Sequence, residues 1–325
     1  MQVVKEIKPT GQISQSFCDI MHSKYLLIFS IDLEENSIVD IFDLNDYSKV
    51  FTFKREDLCK IIELKCGNFV LSYSNGKMEI ASIDLKAKTI NVLQEFKEHK
   101  STIYDVKELS NGNLVSCSDE NEIIFWCFVP KSNVYEKLKY LNTNPDQYAT
   151  LLEDSKRNKL ICAQCFESNG TCIIDLTTYE IIAKFNDVQR DGASDIYFVN
   201  DKIVIDVCDE NDNEGLFFID MDKNQIVKHD KEFNNNNSTC FLKLANGNLL
   251  CSVVARGQRN SESDDEDYEE GAGRTDIQCW EIDETGLNWK LLYTRENIDA
   301  YPIISMIQLG DGRIAAFSNV LKIYQ

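Results

Sequence analysis

Four stretches of the chain repeat one phrase: an apolar run, a short turn with glycine, and a second apolar run. They read ELKCGNFVLSYS, ELSNGNLVSCS, KLANGNLLCSVV and QLGDGRIAAFS, with turn glycines Gly67, Gly112, Gly247 and Gly312. Two short apolar runs around a glycine turn are the mark of a β-hairpin. Gly67 and Gly112 stand 45 residues apart, and Gly112 and Gly247 three times that distance. Two units therefore lie between them without the glycine. LLEDSKRNKLICAQC turns around Arg157, DIYFVNDKIVIDVC turns at Asn200-Asp201, and upstream DIMHSKYLLIFS turns at Ser23-Lys24. The second strands of these hairpins open at Leu26, Phe69, Leu114, Leu160, Ile203, Leu249 and Ile314. Their spacings are 43, 45, 46, 43, 46 and 65 residues. Only the last departs from the period, and an acidic insertion of about twenty residues accounts for it.

Each unit continues with a third and a fourth apolar run, as in EIIFWCF and VYEKLKYL or in SIVDIFDL and KVFTFK. Four short strands per unit of about 40–45 residues predict an all-β protein, a seven-bladed β-propeller of four-stranded antiparallel blades spanning residues 1–325 as one domain. The seventh unit reaches Gln325 without a fourth strand, while Val3–Ile7 offers a spare one before Pro9. Pairing that strand with the last blade would close the ring and remove an open edge.

The third unit carries a family resemblance. His99 precedes its first strand; Ser116 and Ser118 lie on the second; Trp126 lies on the third. In this arrangement it resembles a WD-repeat (tryptophan–aspartate) blade, and the chain is identified as a divergent member of that family. The resemblance implies a structural polar network of His99, Ser116 or Ser118, Trp126 and an acid in the tight turn. By spacing the acid position falls on Glu120, and Cys127 follows Trp126 where the family carries Asp. Gln278-Cys279-Trp280-Glu281 is a second, weaker match centred on Trp280, and other blades offer Phe42 or Tyr324 in place of Trp.

Charge enters at this point. The 325 residues hold 54 acids and 34 Lys plus Arg, a net charge of −20. That balance speaks against general nucleic-acid binding, which rests on Lys and Arg. Family topology puts the loops between second and third strands on one rim. Those loops carry Glu34 and Glu35; Asp119, Glu120 and Glu122; Glu167; and Asp209, Glu210, Asp212 and Glu214. In the sixth blade, residues 255–275 form an acidic insertion, expected to be mobile, holding Glu262, Asp264, Asp265, Glu266, Asp267, Glu269 and Glu270. Only Lys77, Arg256, Arg259 and Arg274 oppose them. Ser261 and Ser263 each have an acid three residues downstream, the consensus of an acidophilic kinase. The opposite rim is expected to be basic, with Lys24, Lys86, Lys88, Lys131, Lys156, Arg157, Lys159, Lys202, Lys223 and Arg313 and few acids.

Signs of catalysis are absent. His22, His99 and His229 fall in three blades, and no nucleophile elbow, phosphate loop, zinc-protease motif or dinucleotide fingerprint occurs. Cys162-x-x-Cys165 with Cys172 lacks the remaining ligand that tetrahedral zinc needs, so the twelve cysteines read as reduced thiols. Asp209–Gly215 could hold a hard cation but does not match the twelve-residue calcium loop, and reads as an acidic turn. Neither metal nor cofactor is expected. The first residues, MQVVKEIKPTG, lack an apolar core for secretion, and no apolar run is long enough for a bilayer. The chain is expected to be intracellular, cytoplasmic or nuclear, a monomeric propeller within a complex and not bound to membrane.

The sequence thus predicts a non-enzymatic scaffold for protein–protein interaction, binding a partner with a basic segment through the acidic rim. A ribosomal protein or histone tail is a partner of that kind, since some acidic WD-repeat propellers act as chaperones. The alternative is a structural subunit of a large assembly, docked through the lower rim or the blade edges.

Overall fold

The computed structural model describes residues 2–11, 18–31, 36–143, 148–164, 170–185, 196–208, 215–230, 238–255, 274–299, 301–318 and 320–325. They form 28 strands in seven four-stranded antiparallel sheets, and no helix long and apolar enough to cross a membrane occurs among them.

After β1 (Val3–Ile7), blade 1 comprises β2 (Cys18–Met21), β3 (Tyr25–Ile31), β4 (Ser37–Asp43) and β5 (Lys49–Arg55). Blade 2 is β6 (Leu58–Glu63), β7 (Phe69–Tyr73), β8 (Met78–Asp84) and β9 (Thr89–Phe96). Blade 3 is β10 (Ile103–Glu108), β11 (Leu114–Ser118), β12 (Glu122–Val129) and β13 (Val134–Asn142). Blade 4 is β14 (Tyr148–Asp154), β15 (Lys159–Gln164), β16 (Thr171–Asp175) and β17 (Glu180–Phe185). Blade 5 is β18 (Ile196–Phe198), β19 (Ile203–Cys208), β20 (Gly215–Asp220) and β21 (Gln225–Asp230). Blade 6 is β22 (Ser238–Lys243), β23 (Leu249–Ala255), β24 (Arg274–Ile282) and β25 (Trp289–Asp299). Blade 7 joins β26 (Ser305–Gln308), β27 (Ile314–Phe317) and β28 (Leu321–Tyr324) to β1, in the order β1-β28-β27-β26.

The glycine turns share one geometry. Gly67 N donates to Leu64 O while Leu64 N donates to Asn68 O, and the same pair of bonds recurs at Leu109, Leu244 and Leu309. The glycines take φ between 84° and 90°, the left-handed region that a side chain resists. A Cβ at Gly112, Gly247 or Gly312 would meet nothing within 4 Å, so backbone conformation alone selects glycine there.

Packing divides the chain into two units, described separately. One (Glu34–Ser37, Val50–Lys231) contains blades 2 to 5. Inner strands are buried on both faces, as in β7 and β11, where every residue is buried. One core lies between blades 2 and 3, where Phe96, Leu114, Ile124 and Trp126 meet. A second joins blades 3 and 4 through Phe125, Tyr148, Leu160 and Ile174, and a third joins blades 4 and 5 through Ile161, Phe185, Val204 and Phe217. Polar side chains add cross-blade ties at the turns. Glu108 Oε2 accepts from Lys65 N at 2.7 Å, and 45 residues on Glu153 accepts from Ser110 N at 2.8 and 2.9 Å. Each carboxylate satisfies a turn amide of the preceding blade.

The other unit (Met1–Leu33, Ile38–Lys49, Glu232–Gln325) contains blades 6 and 7 and most of blade 1. Its cores follow the same rule: Leu250, Ile277, Ile314 and Tyr324 between blades 6 and 7, and Ile7, Leu26, Ile28, Phe317 and Leu321 between blades 7 and 1. The spare N-terminal strand completes blade 7. Ile7 sits opposite Leu321 and Val3 opposite Tyr324, with Gln2 and Gln325 exchanging two backbone hydrogen bonds at 3.0 Å. Beyond Pro9 the chain is fastened to blade 1. Thr10 N and Oγ1 donate to the two carboxylate oxygens of Asp40 at 2.7 and 2.8 Å, and Lys49 pairs with that carboxylate at 3.0 Å. Asp40 is fully buried, so its charge requires these partners.

Deleting residues 1–8 uncovers the β28 edge and removes Ile7 from its core. The expected loss is about 3 kcal/mol, read as a fall of several degrees in melting temperature; an unchanged melting temperature would refute the closing role.

Candidate functional site

Blade 3 holds the most organised polar constellation. His99, just ahead of β10, is buried together with Ser116 and Ser118 of β11 and Trp126 and Glu122 of β12. Trp126 Nε1 donates to Ser116 Oγ at 3.0 Å, and Ser116 Oγ lies 2.6 Å from His99 Nε2. Because Ser116 already accepts from Trp126, its own proton points to Nε2. His99 then carries its hydrogen on Nδ1 and donates to Glu122 Oε2 at 3.2 Å. Glu122 also accepts from Ser118 Oγ at 3.4 Å and Tyr140 Oη at 3.2 Å, with Lys100 Nζ at 3.6 Å. The ring of Phe96 packs edge-on against Trp126 at 4.7 Å. The arrangement ties the segment ahead of β10 to β11, β12 and β13.

The acid of this network is Glu122 and not Glu120. Glu120 sits at the exposed tip of the turn joining β11 and β12, where a side chain faces water. Glu122 opens β12 opposite Ser118, two residues further on, and from there its side chain reaches back to His99. Counting along the sequence finds the turn but not which of its carboxylates folds inward. Trp280 occupies the equivalent place in blade 6, opposite Leu249 as Trp126 is opposite Leu114, with its ring 6.4 Å from Trp289. There the residue matching Ser116 is Cys251, so the hydroxyl relay of blade 3 is replaced by a thiol position.

Of the acidic-rim residues, Asp119 and Glu120 are described. Asp119 is held from its own blade by Tyr104 Oη at 3.0 Å and Ser101 Oγ at 3.5 Å. Glu34, Glu35, Glu167, Asp209, Glu210, Asp212, Glu214, Glu262, Asp264, Asp265, Glu266, Asp267, Glu269 and Glu270, with Ser261 and Ser263, lie outside the described residues.

The turns of the opposite rim differ from expectation, because acids are interleaved with the bases. Arg157 Nε donates to Asp222 at 2.6 Å, and its Nη1 donates to Asp154 at 3.0 Å and to the Asp201 carbonyl at 2.6 Å. Lys156 pairs with Asp201, Lys202 with Asp222, Lys223 with Asp220 and Arg313 with Asp311. Lys159 Nζ donates to the Met221 carbonyl and to Asn224 Oδ1, both at 2.6 Å. Much of the positive charge is thus spent on tying turns of blades 4 and 5 to each other.

Sequence reasoning missed Asp105. It lies on β10, accepts from Leu151 N of blade 4 at 2.8 Å, and forms an ion pair with Lys60 of blade 2. One carboxylate so links three blades. An acid inside the apolar run Ile103-Tyr-Asp-Val106 was the available signal, since Asp is almost never buried unless partnered.

Cys162 faces Cys172 across β15 and β16, both buried as free thiols, and burial pushes the Cys162 thiol up. Cys165 lies outside the described residues, and among those described no group of three or more His, Cys, Asp or Glu is placed to hold a metal ion.

No protein-family model matches the sequence, and no curated protein matches it. The fold is nevertheless that of a WD40 β-propeller. A chain in the crystal structure of the mitotic checkpoint complex is similar to it with a TM-score of 0.73 at 10% identity, over 99% of this chain and 91% of that one. The WD40 β-propeller domain of Doa1 is similar with a TM-score of 0.67 at 14% identity, over 100% of this chain and 96% of that one.

Two outcomes follow from blade 3. Gly76 has φ +78°, and a Cβ there would come within 2.4 Å of the His99 carbonyl oxygen. Gly76→Ala is expected to cost about 2 kcal/mol in urea unfolding. Burial pushes the His99 pKa below the ordinary 6.5, with Glu122 and Glu98 acting in the opposite direction. The unfolded chain then takes up a proton that the native blade resists. The contribution is complete above about pH 6.5 and is lost as the pH falls below it. Melting temperature is expected to drop from pH 7.5 to 5.5, with a shallower slope in His99→Gln.

Proposed function

We propose that the chain is a non-enzymatic scaffold that holds a partner protein by a basic segment, through the acidic loops between second and third strands. The observation that carries this reading is where the acids lie. Those loops carry carboxylates in blades 1, 3, 4, 5 and 6, while the loops of blades 2 and 7 carry none, and seven acids fall within residues 262–270. In the blade 3 loop Glu120 is exposed and Asp119 half-exposed, while Glu122 is withdrawn into the blade. Loops presented by a rigid β framework suit recognition, and a one-signed field steers an oppositely charged partner. Propellers of this fold occur in protein complexes such as the mitotic checkpoint complex, which supports an interaction role in general. The second reading, attachment to a larger assembly by blade edges, is favoured by the exposed apolar residues of the outer strands.

A fluorescent Lys/Arg-rich peptide tests the first reading. Its affinity is expected to fall at least tenfold between about 50 and 300 mM salt. It should also weaken when Asp264–Asp267 are neutralised to Asn and Gln, and again with Asp119→Asn/Glu120→Gln. Binding indifferent to salt and to both variants would overturn it.

A further inference from the structure

The outer strands repeat an irregularity that a four-stranded blade does not require. Where third and fourth strands pair, the register slips by one residue in each of blades 2 to 6. The extra residues are Leu93, Leu138, Ile182, Val227 and Leu292. They follow the blade period, and all five are aliphatic. Four of them are well exposed: Leu93 at 52%, Leu138 at 45%, Ile182 at 43% and Leu292 at 42%. A bulge twists an edge strand and interrupts its ladder, which blunts pairing with a foreign strand. That task sets no demand for a large apolar side chain in water. The aliphatic choice is therefore what needs a cause.

Blades 2 and 3 supply the most complete surface. Val92 and Leu93 of β9 are exposed, as are Leu138 and Tyr140 of β13. The two strands are stitched by the side chain of Gln94, which accepts from Tyr135 N at 2.8 Å and donates to Tyr135 O at 2.6 Å. That clasp occupies the outward peptide group of β13, and the bulge at Leu138 breaks the ladder above it, so an incoming strand finds no continuous edge. An occupant must dock through side chains. Charge selects its character. Lys137 and Lys139 flank Leu138 and are exposed, with no carboxylate in ion-pair distance among the described residues, while Glu95 is paired with Lys97 at 3.0 Å. In a chain of net charge −20 this stretch of β13 carries two lysines against the single acid Glu136.

We propose that the outer wall of blades 2 and 3, centred on Leu138, docks an amphipathic α-helix of a partner protein, its apolar stripe flanked by Asp and Glu. Leu93, Leu138 and Tyr140 receive the stripe, and Lys137 and Lys139 meet the carboxylates. The surface shares no residue with the acidic loops, and its test is independent of them.

The full-length chain is panned against a displayed library of helical peptides, and the enriched peptides are measured by fluorescence anisotropy. Enriched sequences are expected to carry Leu or Phe at helical spacing beside Asp and Glu. Leu138→Ser should weaken them about tenfold and Lys137→Glu/Lys139→Glu at least as much, with melting temperatures within about 2 °C of the parent. Leu93→Ser is the second variant should Leu138→Ser fail to fold. Failure to enrich any peptide, enrichment of Lys- and Arg-rich peptides, or binding unchanged in the variants would overturn the proposal. So would self-association of the parent chain that Leu138→Ser abolishes, which would make a second copy the occupant.

Discussion

A four-stranded blade has two apolar faces and no core of its own, and this governs the rest of the molecule. Every core among the described residues is made by side chains of neighbouring blades. Stability is consequently a property of contacts between repeats, as in other repeat architectures. A terminal blade left incomplete would expose both an apolar face and an open strand edge. The pairing of β1 with β28 answers the second need, and Ile7 entering the core of blades 7 and 1 answers the first.

Polar groups follow the same logic. Several carboxylates stand where one blade is fixed to another segment, some buried and some at half-exposed turns. Asp40 receives the chain arriving from β1, Asp105 joins the inner strands of three blades, and Glu108 and Glu153 bind turn amides one blade back. Glu122 works inside a single blade, through His99 and Tyr140. Each is costly without its partners and specific with them. This separates acids that hold the fold from those such as Glu120 that remain available at the surface.

Much of the fold was legible because local rules repeat. The turn glycines, the 45-residue spacing and the apolar runs are consequences of backbone conformation and strand alternation, and both are written residue by residue. His99, Ser116 and Trp126 could be placed in one network because the third unit resembles a WD-repeat blade, a resemblance that implies that network. Glu122 could not, since its selection over Glu120 depends on which side chain the turn points inward. The opposite rim misled for a related reason: Lys and Arg were counted turn by turn, while Asp201 and Asp222 neutralise bases of turns distant in sequence.

The sequence by itself determined the repeat, the number of blades, the strand that completes the last one, and the excess of acid in particular loops. These depend on periodicity and composition, which need no knowledge of what lies across a gap. Tertiary structure decided which charges are spent internally, which carboxylate meets His99, and that Leu93, Leu138, Ile182, Val227 and Leu292 fall in bulges at the blade edge. Such facts follow from register and from distances between residues far apart in the chain, and neither is encoded in any local stretch of it.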